Sequence, residues 1–264
     1  MAEESPANTP ASAETTSQTE RVVIALREKL LRGEFRPGER LAELTLVPLL
    51  HASRTPVRLS LERLAHQGLL EALPNGGFRV REFTIADIWD AIEVRGTLEG
   101  TAARFAAERL SSPEELEPLR RCFESFSGAA LTTMENFLDY LEKNTVFHRE
   151  LWKLAKSPML ERALESVCAL PFAEPGALVF GGSSNAEMYH MRKILVSMEH
   201  HRAILEAIEN REGARAESVA REHSRVARSN LDWALKHEEF GRIPGSSLVT
   251  MNEGAPVTAR KRRK

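Results

Sequence analysis

The stretch Ser53-Arg54-Thr55-Pro56-Val57-Arg58-Leu59-Ser60-Leu61-Glu62-Arg63-Leu64-Ala65-His66-Gln67-Gly68 decides how the first part of the chain folds. Ser53 suits a helix N-cap, and Pro56 falls within the first turn, where a missing N–H costs no intrahelical bond. Val57, Leu61 and Leu64 share one face of the helix this predicts, while Arg54, Thr55, Arg58 and Glu62 share the other. Gly68 stops it. Such a helix packs on a small core and turns cations toward an anionic partner.

Working outward, Val22, Val23, Leu26 and Leu30 fall at helical spacing before Gly33, which predicts a first helix over 22–32. Arg36-Pro37-Gly38 reads as a turn, and 41–50 as a short second helix that Pro48 disturbs. Downstream, 69–73 and 78–81 read as two strands across Pro74-Asn75-Gly76-Gly77. In the second, Phe78 and Val80 point inward and Arg79 and Arg81 outward. Three helices and a hairpin, with the third helix basic outside, make a winged helix-turn-helix over residues 21–82. Its third helix enters the major groove N-terminus first. There Arg54 and Arg58 reach base edges, guanine foremost, and Ser53 and Thr55 hold phosphate oxygens. Arg36 from the turn and Asn75 and Gly76 from the wing complete the expected DNA contacts.

The bulk numbers agree with two domains. The chain has 264 residues, 42% hydrophobic and 28% charged, enough apolar material for packed cores. The net charge of −2 hides a basic segment, since residues 21–81 carry eleven Lys or Arg against six Glu. Cys122 and Cys168 lie far apart, which argues against a disulfide framework or a cysteine-ligated metal and fits a reducing cytoplasm. Residues 1–20 lack the basic start and apolar run of a secretory signal and read as a disordered tail. No stretch has the roughly 20 apolar residues of a membrane helix, so a soluble protein without a membrane partner is expected.

Beyond residue 83 the period is helical throughout, which predicts an all-α bundle over 83–237 and a mainly α fold. Thr84 and Asp87 open one helix, and Ser112-Pro113-Glu114-Glu115 forms a capping box. Further helices cover 133–156, 158–170, 186–210 and 214–236, interrupted at 171–185. Residues 238–264 read as a flexible basic tail. Its Arg260, Lys261, Arg262, Arg263 and Lys264 either add nonspecific phosphate affinity or are simply solvated.

Arg36-Pro37-Gly38-Glu39-Arg40-Leu41, Ser53-Arg54-Thr55-Pro56-Val57-Arg58, and Leu61-Glu62-Arg63-Leu64 with Gly68-Leu69 resemble the GntR family of bacterial regulators. Glu93-Val94-Arg95 and Leu98-Glu99-Gly100 resemble that family's FadR-type, or FCD, effector domain, and the resemblance runs from about residue 20 to 237. It implies a homodimeric transcription regulator, a repressor, acting in the cytoplasm at the nucleoid on palindromic double-stranded operator DNA. A small carboxylate bound in the helical domain would modulate it. Leu44 stands where many relatives carry a polar or basic residue, and the wing lacks their common arginine, so weak wing contacts are expected.

His148, His201 and His223 each fall on the apolar side of a different long helix. Three inward imidazoles on one bundle can converge on a metal ion, although a single inward histidine is more often a core residue. The resemblance implies a divalent ion of the Zn, Ni or Mn class held by Asp-x-x-x-His and two later histidines. The corresponding residues here are Asn144, His148, His201 and His223. A neutral amide in place of a carboxylate lowers metal affinity and leaves more positive charge for an anionic effector, with Arg95 nearby and Asn230 as a further contact. Arg95 and Glu99, one turn apart, equally suit a structural ion pair with the neighbouring helices. The rival reading from another class is a metal-dependent hydrolase built on the three histidines. It lacks HExxH or any comparable general base, so no enzyme is expected. A nonspecific architectural DNA-binding protein is the remaining reading.

Overall fold

The computed structural model describes residues 11–128, 133–177, 184–243 and 245–251. Helix α1 (Ala11–Leu31) is followed by β1 (Arg40–Leu41), α2 (Glu43–Leu49), α3 (Arg54–His66), β2 (Leu70–Ala72) and β3 (Phe78–Val80). The strands form an antiparallel sheet in the order β1-β3-β2, with Arg40 opposite Arg79 and Leu70 opposite Val80. Leu26, Leu30, Leu46, Val57, Leu61, Leu64 and Val80 are fully enclosed, which is why the apolar spacing of these segments matters.

The second half comprises α4 (Ile85–Arg109), α5 (Glu117–Ser127), α6 (Met134–Leu154), α7 (Pro158–Cys168), α8 (Ser184–Glu209) and α9 (Gly213–Lys236). Thr84 and Asp87 close a full capping box at the start of α4. Helices α4 and α9 lie against each other with small residues between them. A Cβ on Gly96 would run into Ser224, and Ala102, Ala103 and Ala106 are completely buried. That close approach sets the first turns of α4 against the later turns of α9, where the candidate site lies.

Several expectations change. Residues 11–20 are helical, not a disordered tail; Ser60 Oγ donates to the Thr19 carbonyl at 3.2 Å and Arg63 pairs with Glu20, so α3 holds this end of α1. Residues 1–10 lie outside those described. Leu41 joins Arg40 in a strand instead of opening the second helix. Gly38 N–H donates to the Val80 carbonyl and Val80 N–H to that of Glu39, both at 2.9 Å, which draws the segment onto β3. Pro48 is accommodated inside the shortened α2. Ser53 occupies the N-cap of α3 but makes no side-chain cap bond. Ser112 makes none either: residues Pro113–Leu116 form a 3-10 turn, and the Glu115 carboxylate accepts from Ser111 N–H at 2.9 Å.

The largest correction concerns residues 238–243 and 245–251, which are packed, not a flexible tail. Phe83 N–H donates to the Leu248 carbonyl at 2.9 Å and Thr250 N–H to the Phe83 carbonyl at 2.8 Å, making a parallel bridge between Phe83 and Val249. Phe240, Ile243, Leu248 and Val249 join the same apolar core as Leu26 and Leu30, together with Ile88, Ile92, Phe172 and Leu231. Burying these four side chains offsets the entropy of ordering the segment. Gly33 closes α1 at φ +75°, and a Cβ there would stand 2.8 Å from that of Ser247. Residues 252–264, with the Arg260 to Lys264 cluster, lie outside those described.

Candidate functional site

His148 on α6, His201 on α8 and His223 on α9 meet inside the bundle, all three buried. His223 Nε2 lies 3.2 Å from both His201 Nε2 and His148 Nε2. Two nitrogens bound to one tetrahedral Zn²⁺ at about 2.0–2.1 Å stand roughly 3.3 Å apart, so the cluster has the dimensions of a metal-binding set. Burial, with His148 and other imidazoles nearby, holds His201 and His223 well below the usual histidine range. They are therefore neutral at pH 7, the form in which imidazole binds a metal.

Glu99 on α4 orients the third ring. His148 Nδ1 stands 2.7 Å from Glu99 Oε1, which also accepts from Trp152 Nε1 at 3.3 Å. Burial pushes the Glu99 carboxyl up, but His148 and Arg95 beside it outweigh this and hold it at about 2. An ionised Glu99 can only accept, so His148 donates from Nδ1 and presents its Nε2 to the cluster. The Nδ1 atoms of His201 and His223 have no hydrogen-bond partner. Two of the three rings thus lack this orienting bond.

A cavity adjoins the cluster, lined by His148, His223, Asn144, Arg95, Asn230, Tyr140 and Ser197 among others, with about 390 Å³ of atom-free space counting its mouth. The space open to the centre of a water-sized molecule is about 30 Å³, room for a bound ion or ordered water as the side chains stand. Asn144 Oδ1 is buried without a partner, as are both amide atoms of Asn230. Unpaired buried polar atoms cost free energy unless a ligand or water satisfies them. Arg95 donates from Nη1 to the Ala173 carbonyl at 2.8 Å, its Nε stands 3.6 Å from Glu99 Oε2, and Nε itself makes no hydrogen bond. Structural contacts to neighbouring elements, Glu99 to His148 and Arg95 to Ala173, and the lining role of Arg95 therefore occur together. Asn144 lines the same cavity with its oxygen unpaired, and the three imidazole nitrogens fit a divalent ion. Sequence reasoning missed Tyr140 and Ser197. Each lies four residues before a named residue, Asn144 and His201, so helical spacing would have found them.

On the opposite part of the chain, Ser53, Arg54, Thr55 and Arg58 are all exposed at the start of α3. Arg58 Nε pairs with Glu62 at 3.2 Å, an exposed contact that contributes little and is easily exchanged for phosphate or a base. Arg36, Asn75 and Gly76 are exposed as well. Arg40 was missed because nothing in its local sequence places it beside the wing. Its Nη2 donates to the Gly76 carbonyl at 2.8 Å, so an arginine reaches the wing from a neighbouring strand. The hairpin has no arginine at its tip, yet its tip is not without one.

A winged helix-turn-helix with a basic, exposed third helix, fused to an all-α bundle, defines a DNA-binding transcription regulator and not an enzyme. Residues 18–80 match the model for bacterial regulatory proteins of the gntR family, and residues 90–226 match the FCD domain. The chain belongs to the GntR family and carries an FCD domain. It is 33% identical over 134 residues to the Nta operon transcriptional regulator of Aminobacter aminovorans, covering 50% of this chain and 61% of that protein. The chain thus spans about three-fifths of that relative. It is 26% identical over 229 residues to the Glc operon transcriptional activator of Escherichia coli, covering 80% of this chain and 87% of the other. The structure of E. coli McbR/YncC has a similar fold, with a TM-score of 0.56 and 22% identity over 84% of this chain and 98% of the other. Among the described residues, no helix is long and apolar enough to cross a membrane.

Proposed function

We propose that the protein is a homodimeric repressor that binds a palindromic operator through α3 and releases or retains it according to a small carboxylate held in the bundle cavity. It acts in the cytoplasm, on the nucleoid. The observation that carries this reading is the exposure of Arg54, Thr55 and Arg58 together at the N-terminus of α3, where helix dipole and side chains favour the same anionic partner. Ser53 with its uncommitted hydroxyl, Arg36, and the wing residues Asn75 and Gly76 add backbone contacts. A dimer bound over a promoter blocks polymerase without further contacts, so repression is the expected direction.

In the bundle, Asn144, His148, His201 and His223 would hold a divalent ion, which supplies open positions for a carboxylate. Arg95 and Asn230 complete the pocket, one supplying a cation and the other an amide with both atoms free. With a neutral Asn144 in the set, ion and anion bind best together. For the ligand to regulate, it must favour one arrangement of the two DNA-binding units over the other.

The test is a gel shift of the full chain on the DNA upstream of its own gene and its neighbours, with metal analysis of the same preparation. Sequence-selective retardation that Arg54→Ala abolishes, and that a panel of small carboxylates modulates, is expected. Equal binding by Arg54→Ala would overturn the placement of α3, and a reporter fusion gives the sign of regulation.

A further inference from the structure

Helix α3 buries Pro56, Val57, Ser60, Leu61 and Leu64. At about 100° per residue, the direction opposite that buried arc passes through Thr55 and Glu62. Arg58 lies roughly 50° to one side of it and Leu59 roughly 50° to the other, both near the helix start. Leu59 is 42% exposed and belongs to neither apolar core of the described residues. A leucine therefore sits beside Thr55 on the outer face of the helix, as well placed as Arg58 for whatever that face meets.

The rest of the face says what that partner is. Arg54 and Arg58 are exposed and cationic, so the surface complements a polyanion and not an apolar protein segment. Within a major groove the apolar group on offer is the C5 methyl of thymine; every other base edge presents donors or acceptors that leucine cannot satisfy. Resting on the reading of α3 as the DNA-reading helix, we propose that Leu59 is a specificity-determining residue that packs on a thymine methyl in each operator half-site, next to the base contacted by Arg58. Leucine in that position also disfavours cytosine or adenine there, whose amino groups would lose water against an apolar side chain.

Random-sequence selection with the full-length chain supplies the operator. Each thymine of the selected half-site is then replaced in turn by deoxyuridine, which removes the methyl and nothing else. Wild-type protein is expected to lose about fourfold in affinity per half-site at one thymine position, the worth of one methyl group leaving an apolar contact. Leu59→Ala should bind the thymine operator more weakly by a similar factor and be indifferent to deoxyuridine there, since the two changes remove the same contact. Wild-type binding that is unaffected by deoxyuridine at every position overturns the inference while leaving operator binding by α3 intact. So does a Leu59→Ala variant that still discriminates. Failure to enrich any sequence overturns the DNA-reading role of α3 and this inference with it.

Discussion

Glu99 and His148, from α4 and α6, meet at 2.7 Å, and the bond fixes which imidazole nitrogen faces the histidine cluster. Partners of this kind are worth tenfold to a hundredfold in metal affinity. Glu99→Gln should therefore weaken zinc binding by about that factor in a competition titration against a chromogenic chelator. Unchanged affinity would mean that His148 needs no orienting.

Asn144 makes a complementary prediction. Its Oδ1 is buried, unpaired and beside His148 in the cavity wall. Asn144→Asp puts a carboxylate there, and Coulomb attraction to a divalent ion should raise metal affinity by about tenfold or more even after desolvation. The same change should weaken binding of an anionic effector. Calorimetry with zinc, followed by the acid that wild type binds, reads both effects, and a parallel rise in the two would contradict the charge argument.

On the DNA side, Arg54→Ala and Arg58→Ala should each cost about 1–3 kcal/mol of sequence-specific binding, as expected for lost base contacts. Arg40→Ala should behave differently. Its guanidinium is tied to the Gly76 carbonyl at the wing, so it should weaken all sequences alike and reduce the slope of log affinity against log salt by about one. Fluorescence anisotropy over a salt series separates the two classes.

The packed segment around Leu248 predicts a stability effect at residues that belong to neither site. Leu248 is fully buried with Leu26 and Leu30, so Leu248→Ala should lower unfolding free energy by about 2–5 kcal/mol in denaturant titration. A loss under about 0.5 kcal/mol would mean that the segment is not part of the core.

The histidines give a pH dependence with a definite sign. Burial holds His201 and His223 well below the ordinary imidazole value of about 6.5, so as the pH falls below that value the unfolded chain binds more protons than the folded one. Stability of the metal-free protein should therefore fall as pH drops below about 6.5. Glu99, held at about 2 against an ordinary carboxyl value of 4.5, adds a separate loss only in the more acid range. Melting curves in chelator from pH 8 to 5 test the first window, and His201→Leu should flatten it.

Local periodicity carried most of the fold. Val57, Leu61 and Leu64 announced α3, Thr84 and Asp87 announced the start of α4, and His148, His201 and His223 could be assigned to inner faces because a helix repeats every few residues whatever its neighbours do. Features that depend on contacts distant in sequence were not legible. Arg40 and Leu41 are a strand because β3 offers them partners, and Phe240, Ile243, Leu248 and Val249 are buried because Phe83 and α1 present a surface for them.

The candidate site divides the same way. Residue types and helical spacing named the three histidines, Asn144, Arg95 and Asn230, since those depend on which face of a helix a position occupies. That His223 Nε2 comes within 3.2 Å of the other two histidines, that Glu99 orients His148, and that Asn230 is left with two unsatisfied atoms depends on how α4, α6, α8 and α9 pack together. Gly96 against Ser224 sets one of those approaches, that of α4 to α9. Packing between helices is a property of pairs of surfaces, and a one-dimensional pattern records each surface without its partner.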